Sequence, residues 1–271
     1  MPDLASPPAM TDALTTIIGA KYLEASEGMR ATPLPEMERA ARHAPRPRDF
    51  QAALCATVAQ GRTGLIAEMK RRSPSGGEIR PGFDAGTVAQ AYESAGATCL
   101  SILTDERWFG GSALDLKAAR AACQLPVLRK DFLVHPWQVF ESRAMGADAI
   151  LLIMSVLSDE QAIELEAVAR SLDMAVRAEV HDRREMDRAL GLQTRLIGVN
   201  NRNLKTLTTD LATSEELIPL IPADRIPVAE SGIRTPADVA RMAAAGAFCI
   251  LVGEHLMRQP DLAAATRALL A

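Results

Sequence analysis

The sequence predicts a single closed (β/α)8 barrel, and three observations carry that prediction. Eight short apolar runs alternate with Ala- and Leu-rich segments of helical periodicity. The runs are apolar throughout, as strands buried on both faces must be. Polar side chains gather where the runs end.

The runs are Leu65–Met69, Cys99–Leu103, Pro126–Leu128, Ala149–Met154, Ala175–Val180, Leu196–Val199, Ile226–Ala229 and Phe248–Val252. Between them, Asp84–Ala95, Ser112–Cys123, Asp159–Leu172 and Thr235–Ala245 have helical spacing. Such alternation implies βαβ units and a parallel sheet, and eight units fit a barrel better than an open sheet. The first run is not followed by G-x-G-x-x-G, which argues against a dinucleotide-binding fold. Gly96, Gly146 and Gly246 each close an Ala-rich helix ahead of a strand, the place of a left-handed cap. Thr235-Pro236 reads as an N-cap with proline at the first helical position.

Ahead of the barrel, residues 1–12 carry Pro2, Pro7 and Pro8 without a basic or apolar targeting segment, and read as a flexible leader. Residues 13–63 read as an N-terminal helical extension. Leu14, Ile17, Ile18 and Tyr22 form the apolar face of a helix stopped near Gly28. Ala31 to Arg48, Pro-rich and basic, reads as an extended connector to a second helix from about Arg48 to Gln60. Residues 64–271 are the barrel, the whole being one domain.

A chain of 271 residues that is 48% hydrophobic and 24% charged has ample material for one large core. Its net charge of −4 provides no positive field for nucleic acid or an anionic membrane, so an anionic ligand must be held by local donors. No apolar run approaches the length of a bilayer span. Cys55, Cys99, Cys123 and Cys249 lack C-x-x-C or metal-like spacing and read as small buried side chains in a reducing cytoplasm.

Charge on a buried strand is costly unless it has a partner or a task. Here Glu68, Lys70, Lys130, Glu179, Asn200, Glu230 and Ser231 all fall at C-terminal strand ends, where barrel enzymes place their chemistry. In Leu65-Ile66-Ala67-Glu68-Met69-Lys70, alternation sends Leu65, Ala67 and Met69 towards the helices and Glu68 and Lys70 into the barrel mouth. Singly, each has a bland reading: Glu68 and Lys70 as an internal ion pair, Lys130 or Glu179 as a solvated rim residue. Their recurrence at successive strand ends favours a site. Ser73-Pro74-Ser75-Gly76-Gly77, Ser231-Gly232 and Gly253-Glu254-His255 supply hydroxyl and backbone donors suited to a phosphate after strands one, seven and eight.

These residues resemble a known family. Glu68-Met69-Lys70-Arg71-Arg72-Ser73-Pro74-Ser75 is similar to the E-x-K-x-x-S-P-S signature of indole-3-glycerol phosphate synthases, which are TIM barrels. So are Ser101–Asp105 with Phe109–Ser112, Leu128–Phe132, Gly198–Leu204, Ala229–Ile233 and Leu251–Glu254, in the same order along nearly the whole chain. The resemblance implies a phosphorylated substrate, a carboxyphenylamino-deoxyribulose phosphate, closed to an indole with loss of carbon dioxide and water in tryptophan biosynthesis. It assigns the general acid to Lys130, a catalytic carboxylate to Glu179, and a second acid–base pair to Glu68 and Lys70, with Asn200 orienting Glu68 or a substrate hydroxyl. Arg202, with Lys70, would hold the aryl carboxylate; Phe109, Phe132 and Leu151 would bed the ring. Ser73, Ser231, Gly232, Gly253 and Glu254 would cradle the phosphate. No metal or organic cofactor is implied, and a cytoplasmic monomer is expected.

Three positions depart from the family pattern: His255 where serine is expected, Arg177 where an apolar residue is expected, and Asn201 where serine is common. Two other readings remain open on the residues alone: another phosphate-binding barrel such as phosphoribosylanthranilate isomerase, and a non-catalytic barrel. The isomerase needs a catalytic cysteine, and no cysteine here ends a first strand.

Overall fold

The computed structural model describes residues 12–74, 76–204 and 206–271; the leader, save Asp12, and Ser75 of the first phosphate-loop motif lie outside them. Eight parallel strands among the described residues close into a barrel: β1 (Gly64–Met69), β2 (Cys99–Leu103), β3 (Val127–Lys130), β4 (Ala149–Ile153), β5 (Ala175–Val180), β6 (Leu196–Asn200), β7 (Ile226–Glu230) and β8 (Cys249–Val252). Each pairs with its neighbours in sequence, and β1 pairs with β8 to close the ring. Each predicted strand is present. The predicted ends of the third, sixth and seventh fall short because Arg129-Lys130, Asn200 and Glu230 continue the ladder as polar residues.

Alternation sorts the side chains as expected. Leu65, Ala67 and Met69 pack outward under the helices, while Ile66 joins Cys99, Leu128, Ala149, Leu196, Val228, Cys249 and Leu251 inside. The helices begin and end on local chemistry. Asp84, Ser112, Ser158 and Thr235 each accept a hydrogen bond from a first-turn amide, and Gly146 and Gly246 cap their helices in the left-handed conformation.

The extension has three helices, α1 (Asp12–Ala31), α2 (Leu34–His43) and α3 (Phe50–Ala59). Two expectations are corrected. The Pro-rich stretch from Ala31 to Arg48 is not an extended connector, since α2 occupies most of it. Pro33 caps α2 and Pro35 falls in its first turn, where a missing N–H is harmless; Glu36 at the start and Arg42 and His43 at the end suit the helix dipole. Nor does Gly28 stop α1, which continues to Ala31. A Cβ at Gly28 would lie 2.4 Å from the Trp137 ring, so the glycine serves close packing.

The third helix closes the bottom of the barrel. Asp49 caps it by accepting from Ala52 N (2.8 Å), and its Phe50 and Leu54 complete the interior apolar layer. At about 1.5–3 kcal/mol per buried side chain of this size, the plug contributes materially to the stability of the barrel. No helix among the described residues is long and apolar enough to cross a membrane.

Candidate active site

Strand register brings the polar strand ends to one level. Glu68 pairs with Ser101, Leu103 with Lys130, Glu179 with Gly198, and Asn200 with Glu230. Above them opens a cavity of about 550 Å³, and all fourteen residues named from the sequence as catalytic or substrate-binding line it.

Two ion pairs line it, Lys70 with Glu68 at the end of β1, and Lys130 of β3 with Glu179 of β5. In the first Lys70 Nζ donates to Glu68 Oε1 at 2.7 Å; in the second Lys130 Nζ donates to Glu179 Oε2 at 2.7 Å. Burial pushes the Glu68 carboxyl up, but Lys70, Lys130 and Arg177 overcome it and hold it below the usual carboxylate range. Glu179 is likewise pushed up by burial and brought well below that range by Lys130, His181 and Arg177. Of the two partners expected for Asn200, Glu68 is not the one it meets: its Nδ2 donates to Glu179 Oε1 (3.0 Å), and its Oδ1 accepts from Ser231 Oγ (2.8 Å). A primary amide has one donor and one acceptor end, and Asn200 uses both to link the β5 carboxylate to the β7 loop.

The apolar wall stands beside Lys130. Phe109 and Phe132 lie with ring centroids 6.3 Å apart, and Leu14 and Ile17 of α1 line the same space with Leu151. Asp105 positions Phe109 by accepting from the amides of Trp108 (2.7 Å) and Phe109 (3.2 Å) in a single-turn helix.

At the far end lie the phosphate-type loops. Ser73 Oγ accepts from Gly76 N (2.9 Å), bending the loop after β1 into a short antiparallel hairpin, Arg72–Ser73 with Gly77–Glu78. Ser231 holds φ +66°, a conformation that costs a residue with a Cβ about 1–2 kcal/mol and that turns the chain towards Gly232. Gly253 precedes the short helix Glu254–Met257. The Glu254 carboxylate turns to Arg258 (3.0 Å) and lies 3.9 Å from Arg202.

Of the departures, His255 lines the cavity, and burial followed by the charge of Arg234 holds its imidazole below the ordinary value. Asn201 is structural, donating to Ser231 O (3.1 Å) and accepting from Ser214 N (2.9 Å). Arg177 points into the barrel beneath Glu179, in ion-pair contact with Glu230.

Sequence reasoning missed two groups. Glu230 was seen as a polar strand end without a role; it lines the cavity, and its alternation with Val228 shows that it points inward. His181 lies one residue past β5, with Nε2 3.3 Å from Glu179 and Nδ1 2.9 Å from Glu185. The spacing His181 to Glu185 was its only signal. Among the described residues no cluster of His, Cys, Asp and Glu has the makings of a metal site.

Comparison with known proteins identifies the family. A family model described as indole-3-glycerol phosphate synthase matches residues 14–269. The indole-3-glycerol phosphate synthase of Azospirillum brasilense is 57% identical over 262 residues, 97% of this chain and 100% of the relative. That of Rhodospirillum rubrum is 54% identical over 262 residues, 96% of this chain and 100% of the relative. Among solved structures, 3-hexulose-6-phosphate synthase (TM-score 0.58, 15% identity, 76% of this chain and 97% of that one) shares the fold. So does thiamine phosphate pyrophosphorylase from Pyrococcus furiosus (TM-score 0.57, 17% identity, 76% and 93%). The chain belongs to the indole-3-glycerol phosphate synthase family.

Proposed function

We propose that this cavity closes the indole ring, with Lys130 as the acid and Glu179 as its partner. The reaction is that of the family: a carboxy-lyase converts 1-(2-carboxyphenylamino)-1-deoxyribulose 5-phosphate to indole-3-glycerol phosphate in tryptophan biosynthesis. The observation that carries the assignment of roles is the Lys130–Glu179 pair at 2.7 Å beside the Phe109–Phe132 wall.

In this reading the aryl ring rests on Phe109, Phe132 and Leu151. Lys130 donates a proton to the ketone oxygen as the carboxylate-bearing ring carbon attacks the ketone carbon. The new carbon–carbon bond leaves that ring carbon tetrahedral. Carbon dioxide departs, and the electron pair of its bond restores the aromatic ring. Glu179, an anion 2.7 Å from the acid, balances positive charge that develops on the aniline nitrogen. Loss of the hydroxyl and of a proton from the adjacent carbon then completes the indole, with Glu68 and Lys70 as the acid–base pair. Arg202 and Lys70 bind the aryl carboxylate. Ser73, Ser231 and the amides of Gly232, Gly253 and Glu254 receive the phosphate. All these groups come from one chain, which thus provides a complete site for a small phosphorylated molecule, and free cysteines suit a cytoplasmic setting.

The test is to supply the substrate and follow indole fluorescence, with Lys130→Ala alongside. Activity in the parent and a loss of about 10²–10⁴-fold in kcat for the variant is expected. A variant that keeps its turnover overturns the role of Lys130; a folded parent without activity overturns the whole reading.

A further inference from the structure

Arg177 is the largest of the fully buried side chains, with no exposure to solvent. It occupies the barrel interior, where layers of branched apolar side chains are the rule and an unpaired charge costs several kcal/mol. Two carboxylates meet it: Glu230 on β7, in close ion-pair contact, and Glu179 Oε2 on its own strand at 3.5 Å. The neighbouring strand is shaped around this arrangement. A Cβ at Gly198 of β6 would stand 2.0 Å from Glu230 Oε1 and 3.6 Å from Arg177 Cδ. Glycine there admits the pair to the barrel axis.

The surrounding charges show what the pair does. Glu179 is faced by Lys130 from β3 (2.7 Å), by Asn200 from β6 (3.0 Å), by Arg177 from β5 and by His181 just past the end of β5. His181 in turn is held by Glu185. Glu230 is faced by Arg177 and Glu179, both on β5, and feels Lys130 from β3; Glu68, on β1, feels the fields of Lys70, Lys130 and Arg177. Glu179 thus has several partners, whereas among the described residues Arg177 is the cation in direct contact with Glu230. Burial, with Glu179 adding to it, pushes the Glu230 carboxyl above its usual range even with Arg177 present.

We propose that Arg177 is a positioning residue for ring closure: by binding the Glu230 carboxylate from below, it keeps that anion from competing with Glu179 for Lys130. This rests on the assignment of Lys130 and Glu179 made above. Without Arg177, two buried carboxylates would converge on Lys130 and His181 with one cation fewer and would share a proton, as like charges at close range do. A proton held between them at higher pH would disable the Lys130–Glu179 pair, so activity would fail earlier on acidification.

The test is kcat and KM against pH for the parent, Arg177→Met, Glu230→Gln and the double variant. Arg177→Met is expected to move the acid limb of kcat up by about one pH unit or more, lowering kcat roughly tenfold at pH values on that limb with KM little changed. In the Glu230→Gln background the same substitution is expected to change kcat on that limb by less than about twofold, since the competing anion is gone. An equal loss in both backgrounds, or an unchanged limb in Arg177→Met, overturns the proposal while leaving the reaction in place; an inactive parent overturns the reading beneath it. If Arg177→Met does not fold, Arg177→Lys keeps the cation. It is expected to retain the parent's acid limb, and an upward shift would count against the proposal.

Discussion

The ammonium of Lys21, on α1, lies 2.5 Å from the carboxylate of Asp105, in the loop after β2. Asp131, next to Lys130, lies 3.0 Å from the same ammonium. Asp105 also sets the turn that carries Phe109, so one buried cation ties the N-terminal helix to both aromatic walls of the cavity. Burial opposes the charge, but Asp131, Asp105 and Glu24 raise the Lys21 pKa above its ordinary value.

Lys21→Met should therefore both destabilise the protein and loosen the site. Removing one member of a buried ion cluster costs about 3–5 kcal/mol, because Asp105 is left without its counter-ion. The urea midpoint should fall, and KM should rise as Leu14 and Ile17 lose their hold on the cavity wall. Equal midpoints for variant and parent would show that the cluster contributes little.

His181 makes stability depend on pH. Burial opposes its charge, yet Glu179 and Glu185 raise its pKa to about 9 against an ordinary 6.5. The stabilisation is complete below about pH 6.5 and is lost as pH rises through 9. His181→Asn should cost about 2–3 kcal/mol at pH 6 and flatten the fall between pH 6.5 and 9. Parallel stability curves for the two proteins would remove His181 as the source.

Gly28→Val would drive two methyl groups into the Trp137 ring, whose Nε1 donates to Thr32 O at 2.9 Å. Overpacking of this kind costs about 1–3 kcal/mol. The expected signs are a lower melting temperature and a changed near-ultraviolet signal from Trp137; a variant matching the parent in both would mean that α1 shifts freely on its neighbour.

His255→Ser reports on the last phosphate loop. With its pKa below the ordinary value, His255 is neutral above pH 7 in the free protein. KM at pH 8 should change by less than about twofold, whereas acidification, as the imidazole gains its proton, should favour the parent. A KM ratio that does not vary with pH would contradict this.

Much of the architecture was legible because it follows from local rules. Apolar runs of strand length, caps such as Thr235 and Gly246, and strict alternation along β1 are properties of neighbouring residues, and they determined the eight strands and the inward direction of Glu68 and Lys70. The helix at Leu34–His43 was hidden because Pro33 and Pro35 mimic a connector; its packing on the helix Pro136–Met145 outweighs the weak propensity of its first turn.

Partnership across the barrel was decided by tertiary structure alone. That Asn200 serves Glu179 rather than Glu68, that Lys21 reaches Asp105, and that Arg177 meets Glu230 all join residues from different elements. The physical reason is range. Periodicity and capping act over a few residues, whereas the fate of a buried charge depends on which other charges the closed barrel brings within a few ångströms.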